Sequence, residues 1–203
     1  MGLYVPSALG WWLFATLFIA WAVYELVYVN LFLERRLRGG TKHDADRLSR
    51  FLIFGAMAAS FGLAWPASSL VGTIIAAARP DLRAAVFYAG LGLMAGGLGV
   101  RQWAILTLGR YFAPDVSLER DHRLVEAGPY RYVRHPSYTG TFITIAGYGL
   151  ALTNWLSLLV MLLIPGLAYG YRMRVEEQAL IDTFGEEYRA YMRRTWRILP
   201  FIL

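Results

Sequence analysis

The sequence predicts an all-α polytopic membrane protein: five transmembrane helices, the last two paired as a hairpin, followed by a cytosolic C-terminal helix. Three observations carry this reading. Of the 203 residues, 57% are hydrophobic and only 17% are charged, and the mean hydropathy is +0.42, a balance unlike that of soluble domains. The apolar residues gather in runs long enough to cross a bilayer. The charged residues fall almost entirely between those runs.

The first run covers about Leu9 to Leu33, the second Phe51 to Ala78 and the third Ala84 to Leu108. Each reaches the ~20 residues that a helix needs to cross the hydrocarbon core. The fourth apolar region, Tyr138 to Tyr171, is too long for one span and is interrupted by Thr153-Asn154. Two shorter helices joined by a tight turn fit it best. A polar, largely helical tail is expected from Arg172 to about Arg194. The whole chain, residues 1–203, is expected to form one membrane domain. Three transmembrane helices would occupy 1–108, and the half from 109 to 203 would carry the chemistry.

Basic residues set the orientation. Arg and Lys crowd the segment from Glu34 to Arg50, the loop from Arg110 to Arg134 and the tail after Arg172, whereas the Thr153-Asn154 turn has none. Positive-inside bias then places the N-terminus outside, and the C-terminus and the polar loops beside the site in the cytosol. The short Arg79-to-Arg83 loop runs weakly against this scheme. The net charge of +6 is spread over loops between apolar spans. That suits anionic lipid better than nucleic acid, which would want one basic soluble face. The absence of cysteine excludes disulfides, zinc–thiolate sites and a thiol nucleophile. No metal is expected, because His122 and His135 lack the spacing and partner ligands of a zinc site. No cleavable signal peptide is expected, since no basic residue precedes the first run and that run is too long.

Two features inside the spans need an explanation. Gly90, Gly92, Gly96, Gly97 and Gly99 crowd the third run. No strand precedes them and no Lys-Ser/Thr closes them, so a phosphate loop is disfavoured and close helix packing is expected. Glu25 and Arg101 are charges within the first and third runs. They are placed to pair, or Arg101 to snorkel toward headgroups, or both to form a polar wall of an active site.

Two segments juxtapose costly polar groups with a membrane boundary. Gly128-Pro129-Tyr130-Arg131-Tyr132-Val133-Arg134-His135-Pro136-Ser137-Tyr138-Thr139-Gly140 leads into an apolar helix. Pro136 suits the first helical position, so free N–H groups and a positive dipole end are expected at the membrane surface, ready for a carboxylate or phosphate. Tyr130, Tyr132 and Tyr138 add aromatic faces that attract a sulfonium or quaternary ammonium. The competing reading is an interfacial anchor. At the end of the next run, Arg172 and Glu176 stand four apart on one helix face. A guanidinium grips a carboxylate by a two-pronged bond, and a carboxylate binds an amino group or sugar hydroxyls. Here the competing reading is a surface ion pair of little energetic weight.

Taken together, His122-Arg123-Leu124-Val125, Gly128-Pro129-Tyr130, Arg134-His135-Pro136-Ser137-Tyr138-x-Gly140, Arg172-x-x-x-Glu176-Glu177, Phe184-Gly185-Glu186-Glu187-Tyr188-x-x-Tyr191 and Leu199-Pro200-Phe201-Ile202 resemble the isoprenylcysteine carboxyl methyltransferase family of integral membrane enzymes. The resemblance implies S-adenosylmethionine as methyl donor. Donor binding would fall to His122, Arg123, Leu124, Val125, Tyr130, His135, Pro136, Ser137, Tyr138 and Glu176, and Arg172 would hold the substrate carboxylate. Arg172 and Glu176 are thus the expected catalytic pair, acting on a lipidic carboxylate such as a prenylcysteine, with membrane lipids as the other partner. Three alternatives stay open: a phospholipid or other amine N-methyltransferase, a nicotinamide-dependent membrane reductase of sterol type, and a non-catalytic lipid-binding protein. A pocket lined by Tyr130 and His135, with the Arg172 guanidinium turned toward it and away from open solvent, is the structural expectation.

Overall fold

The computed structural model describes residues 4–37, 44–70, 74–75, 79–109 and 124–199. Among these the chain forms α1 (Ala8–Leu37), α2 (Asp44–Ala67), α3 (Pro80–Leu108), a 3-10 turn (Gly128–Arg131), α4 (Pro136–Ala151), α5 (Trp155–Phe184) and α6 (Glu186–Arg194). The architecture is all-helical, as expected. Three segments are long and apolar enough to cross a membrane: Ala8–Val27, Pro80–Leu108 and Trp155–Phe184. The other two apolar helices are shorter: Phe51–Ala67 within α2, and α4, whose 16 residues rise only about 24 Å.

Two boundaries differ from the sequence reading. The second apolar run was expected to stay helical to Ala78, but α2 stops at Ala67. Ile74 then pairs with Asn154 in an isolated bridge, and the Ile75 amide donates to the Thr153 main-chain oxygen at 2.8 Å. The end of this run is spent stapling the α4–α5 turn. Second, α5 is not a short helix followed by a separate tail. It runs 30 residues without a break through Arg172, Glu176 and Glu177. The stop comes at Gly185, whose φ of 54° lies in a region that a Cβ disfavours. The expected cytosolic helix is therefore only α6, nine residues long.

The glycines of α3 act as packing surfaces. A Cβ on Gly90 would sit 2.6 Å from the Gly147 oxygen, and one on Gly97 would sit 2.5 Å from the Thr144 nitrogen and 2.6 Å from the Gly140 oxygen. The facing glycines are equally tight: a Cβ on Gly147 would meet the Gly90 oxygen, and one on Gly140 the Gly97 oxygen, each at 2.6 Å. Pairs seven residues apart on both helices let α3 and α4 run antiparallel with their backbones in contact. Gly92, Gly96 and Gly99 meet nothing within 4 Å, so only part of the glycine run serves this seam.

Below the seam lies an aromatic and aliphatic core of Phe14, Phe87, Leu91, Met94, Ile145, Tyr148, Leu152 and Met161. Tyr148 is its centre, with ring centroids 5.5 Å from Phe14 and 4.8 Å from Phe61. Large apolar side chains also point outward, as Leu167 does at 80% exposure. In water that would be a liability, whereas facing lipid it is the expected arrangement. A second, smaller cluster of Tyr169, Met173 and Ile198 connects the core to the polar end of α5.

Candidate active site

Four pieces of chain meet where α4 begins. The 3-10 turn starts at Gly128 (φ 56°) and buries Pro129 and Tyr130. The strand-like residues after it pair with the C-terminal segment: Val133 bridges Trp196 in parallel, and the Arg134 and His135 amides donate to the main-chain oxygens of Trp196 and Arg197 at 2.7 and 3.1 Å. The Thr139 hydroxyl donates to the Ile198 oxygen at 2.7 Å, and the Tyr191 hydroxyl to the Tyr130 oxygen at 2.7 Å. Residues 128–139 are thus held by a C-terminal strap in addition to the 3-10 turn and the first turn of α4. Pro136 is buried at the first position of α4, and the N-cap His135 makes no side-chain cap bond. The opening turn of α4 therefore has no neutral cap of its own.

Against this opening lies the polar end of α5. Arg172 is 2% exposed, far from the open solvent that would have undone the sequence reading. Its Nε donates to Glu176 Oε1 at 2.8 Å, its Nη1 donates to Ser49 Oγ at 3.0 Å, and the Tyr138 hydroxyl lies 3.5 Å from Nε. Tyr138 donates to the same Glu176 oxygen at 2.5 Å. Glu176 Oε2 faces His135 Nδ1 at 3.5 Å, and the His135 ring stacks on Tyr138 with centroids 5.5 Å apart. Tyr169 closes the apolar side, edge-on to Tyr138 at 4.9 Å. Four of the sequence candidates, His135, Tyr138, Arg172 and Glu176, form one contact cluster.

The remaining candidates divide. Tyr130 lies buried behind the cluster, close enough to feel the Glu176 charge, and burial drives its hydroxyl to titrate well above the ordinary tyrosine range. Pro136 is buried at the helix start. Leu124 and Val125 lead into the 3-10 turn, half-buried, beside Glu126, which pairs with Arg194. His122 and Arg123 lie outside the described residues. The Ser137 hydroxyl does not join the Glu176 cluster but receives Arg101 Nη1 at 3.4 Å. Arg101 also reaches the Ser137 main-chain oxygen at 3.5 Å and donates to Thr141 Oγ1, while its Nη2 pairs with Glu25 at 3.1 Å. Of the three roles open to Glu25 and Arg101, pairing is therefore observed.

The sequence reading missed two contributors, Ser49 and Arg197. Ser49, fully buried on α2, holds Arg172, so the site draws on the N-terminal half. A lone serine in an otherwise ordinary helix gives no sequence signal for that. Glu177 is gripped by Arg134 Nε at 3.1 Å and by Arg197 Nε at 3.1 Å, with His135 Nε2 at 3.3 Å. Its hydrogen bond raises the affinity of Arg197 for its proton. The consecutive carboxylates Glu176 and Glu177 thus straddle the His135 ring. The acidic pair was visible in the sequence, but Arg197 as its clamp was not, because twenty residues and a helix break separate them. Among the described residues, no group of three or more His, Cys, Asp or Glu side chains is gathered as a metal site.

This combination defines an integral membrane protein of packed helices with a buried, charged, aromatic-walled cluster at one end. Residues 90–182 match the model of the Isoprenylcysteine carboxyl methyltransferase (ICMT) family. The chain is 36% identical over 114 residues to the protein-S-isoprenylcysteine O-methyltransferase of Schizosaccharomyces pombe, covering 55% of this chain and 48% of that one. With the Saccharomyces cerevisiae enzyme of the same name the identity is 39% over 108 residues, covering 52% and 45%. A probable counterpart from Oryza sativa subsp. japonica is 35% identical over 119 residues, covering 58% and 62%. The chain thus spans less than two thirds of the length of these relatives. The structure of a eukaryotic intramembrane Ras methyltransferase, an isoprenylcysteine carboxyl methyltransferase, superposes with a TM-score of 0.56 at 27% identity, covering 80% of this chain and 55% of that one.

Proposed function

We propose that the chain is an S-adenosylmethionine-dependent carboxyl O-methyltransferase that esterifies the carboxylate of a prenylcysteine-like or other lipidic acceptor at the cytosolic membrane face. The observation that carries this reading is the Arg172–Glu176 pair, enclosed between α2 and α5 and turned toward His135 and Tyr138 at the uncapped start of α4. The names of the relatives supply the reaction class.

The donor set fits S-adenosylmethionine. The opening turn of α4 offers N–H groups to a carboxylate, Glu176 offers an acceptor for an amino group or ribose hydroxyls, and the stacked His135 and Tyr138 rings offer faces to a cation. When bound, the cofactor supplies a methyl group on positively charged sulfur. The acceptor carboxylate is already ionised at neutral pH, so the protein needs no general base. Its task is to strip water from that carboxylate and hold it in line. Arg172 does this with a planar guanidinium fixed on two sides by Glu176 and Ser49. Membrane burial suits such a site: a lipidic acceptor arrives sideways through the bilayer, and a polar donor arrives from the aqueous side. The positive-inside distribution supports an N-terminus outside and a C-terminus in the cytosol.

The test is incubation of the full chain in lipid with labelled S-adenosylmethionine and a prenylated cysteine analogue. Label transfer is expected, and the product should release its label in mild alkali, as a carboxyl methyl ester does and an N-methyl product does not. Alkali-stable product would turn the reading to amine methylation. The same incubation with a native lipid extract identifies other carboxylate acceptors. Absence of transfer to any acceptor, together with no donor binding, would overturn the reading.

A further inference from the structure

Arg101 and Glu25 lie in the spans themselves, away from Arg172 and Glu176. The Arg101 side chain is 6% exposed and that of Glu25 24%. Two opposite charges in this position cost desolvation that their attraction barely repays, and an apolar pair of similar volume is often as stable. Stability alone thus gives little reason for them, and ionisable groups inside membrane helices mark function by default.

Where the guanidinium goes is specific. Nη2 takes Glu25 of α1, and Nη1 takes Ser137 Oγ, the Ser137 main-chain oxygen and Thr141 Oγ1, all in the opening turns of α4. The tyrosine ring at position 24 lies beside the guanidinium at 5.6 Å. Gly140 makes the reach possible, since a Cβ there would sit 2.5 Å from the Arg101 nitrogen and 2.7 Å from its Cβ. Consecutive residues of one turn are thereby pulled in two directions. Ser137 is held by Arg101–Glu25, and Tyr138 by Arg172–Glu176.

We propose that Arg101, with Glu25 as its counter-ion, is a positioning residue for the donor pocket: it fixes Ser137 and the opening turn of α4, and so links the first membrane helix to donor affinity. The inference rests on the function proposed above. A two-sided clamp holds the turn at one orientation, so its N–H groups and the Tyr138 ring meet the donor without a reordering cost. Releasing one side leaves the chemistry intact but loosens the pocket.

The experiment measures binding of S-adenosylhomocysteine by calorimetry to the full chain in nanodiscs, alongside thermal unfolding without ligand. In the double variant Glu25→Met/Arg101→Met the charges leave and the volume stays. It is expected to unfold near the wild-type temperature while its Kd rises roughly tenfold or more, as small displacements in a pre-set site do. A folded double variant with wild-type Kd overturns the inference and leaves the proposed function standing. If the double variant does not fold, Arg101→Lys and Ser137→Ala decide. Each is expected to weaken binding, and the two together should weaken it no further than the stronger single, because they act on one contact. Unchanged Kd in Arg101→Lys, or full additivity, overturns the inference. A wild-type protein that binds no S-adenosylhomocysteine overturns the proposed function itself.

Discussion

The α4–α5 hairpin has one end held mainly by neutral groups and one crowded with charges, and they meet the demands of the backbone differently. At the turn, Asn154 caps α5 by accepting from the Leu156 and Ser157 amides at 3.0 and 3.2 Å, and its Nδ2 donates to the Leu70 oxygen at 3.2 Å. Ser157 donates to the Ala64 oxygen at 2.8 Å, and Arg83 to Thr153 Oγ1 at 3.0 Å. Thr153 accepts a φ of 52° so that the turn closes. Every contact there serves the fold. At the other end α4 starts on His135 without a side-chain cap, and the chain surrounds that start with Arg172, Glu176, Glu177, Arg134 and Arg197. That concentration of charge where neutral bonds would suffice supports the proposed role, in which one of the charges is kept for a ligand. The contrast sets a structural terminus beside the candidate site.

Breaking the charged end should have the largest effect. Arg172→Ala and Glu176→Ala are each expected to lower methyl transfer by about a hundredfold or more, as measured by the labelled-donor assay, with thermal melts showing that each variant still unfolds cooperatively although at a lower temperature. Arg172→Lys should also be poor, because an ammonium lacks the planar fork. Full activity in either alanine variant would remove the distinction between the two ends.

Next comes the seam that holds both ends together. Gly97→Ala brings a Cβ within 2.5 Å of the Thr144 nitrogen, backbone that has no free rotor to yield. A loss of about 1–3 kcal/mol is expected, read as a lower midpoint in denaturant. Gly92→Ala, with nothing within 4 Å, should change the midpoint little and is the control. Equal effects would mean that helix propensity and not packing governs the run.

At the neutral end, Asn154→Ala should cost about 1 kcal/mol through the lost cap while leaving the Kd for S-adenosylhomocysteine unchanged. A weakened Kd would show that the two ends are coupled through α5. The smallest effect concerns pH. Burial raises the Tyr188 and Tyr191 hydroxyls above the ordinary value of 10.0. A raised value means that the folded state prefers the protonated form. Stability is therefore complete below about pH 10 and should fall as pH rises beyond it. Denaturant midpoints between pH 8 and 11 test this, and Tyr191→Phe should flatten the slope.

The resemblance motifs already named His135, Tyr138, Arg172 and Glu176: a helix start and two residues four apart on a helix face are local features, whereas the meeting of the two, as between Tyr138 and Glu176, is set by the packing of α4 on α5. The hairpin turn was equally legible, since Thr153-Asn154 interrupts an apolar run. Ser49, Arg197 and the Ser137–Arg101 contact were not legible. Each depends on which helices pack side by side, and nothing in a local window encodes a contact separated by 123 residues, as Ser49 is from Arg172.

By itself the sequence determined the material: apolar runs that must be helices because lipid offers no partner for a bare backbone, a proline that opens α4, a glycine that closes α5, and the residue types able to hold a carboxylate and a cation. Only the tertiary structure decided which glycines face which and that two buried arginines grip neighbouring residues of one turn. Those outcomes follow from backbone approach across the α3–α4 seam, where the presence or absence of a Cβ sets the distance, and that quantity depends on two segments at once.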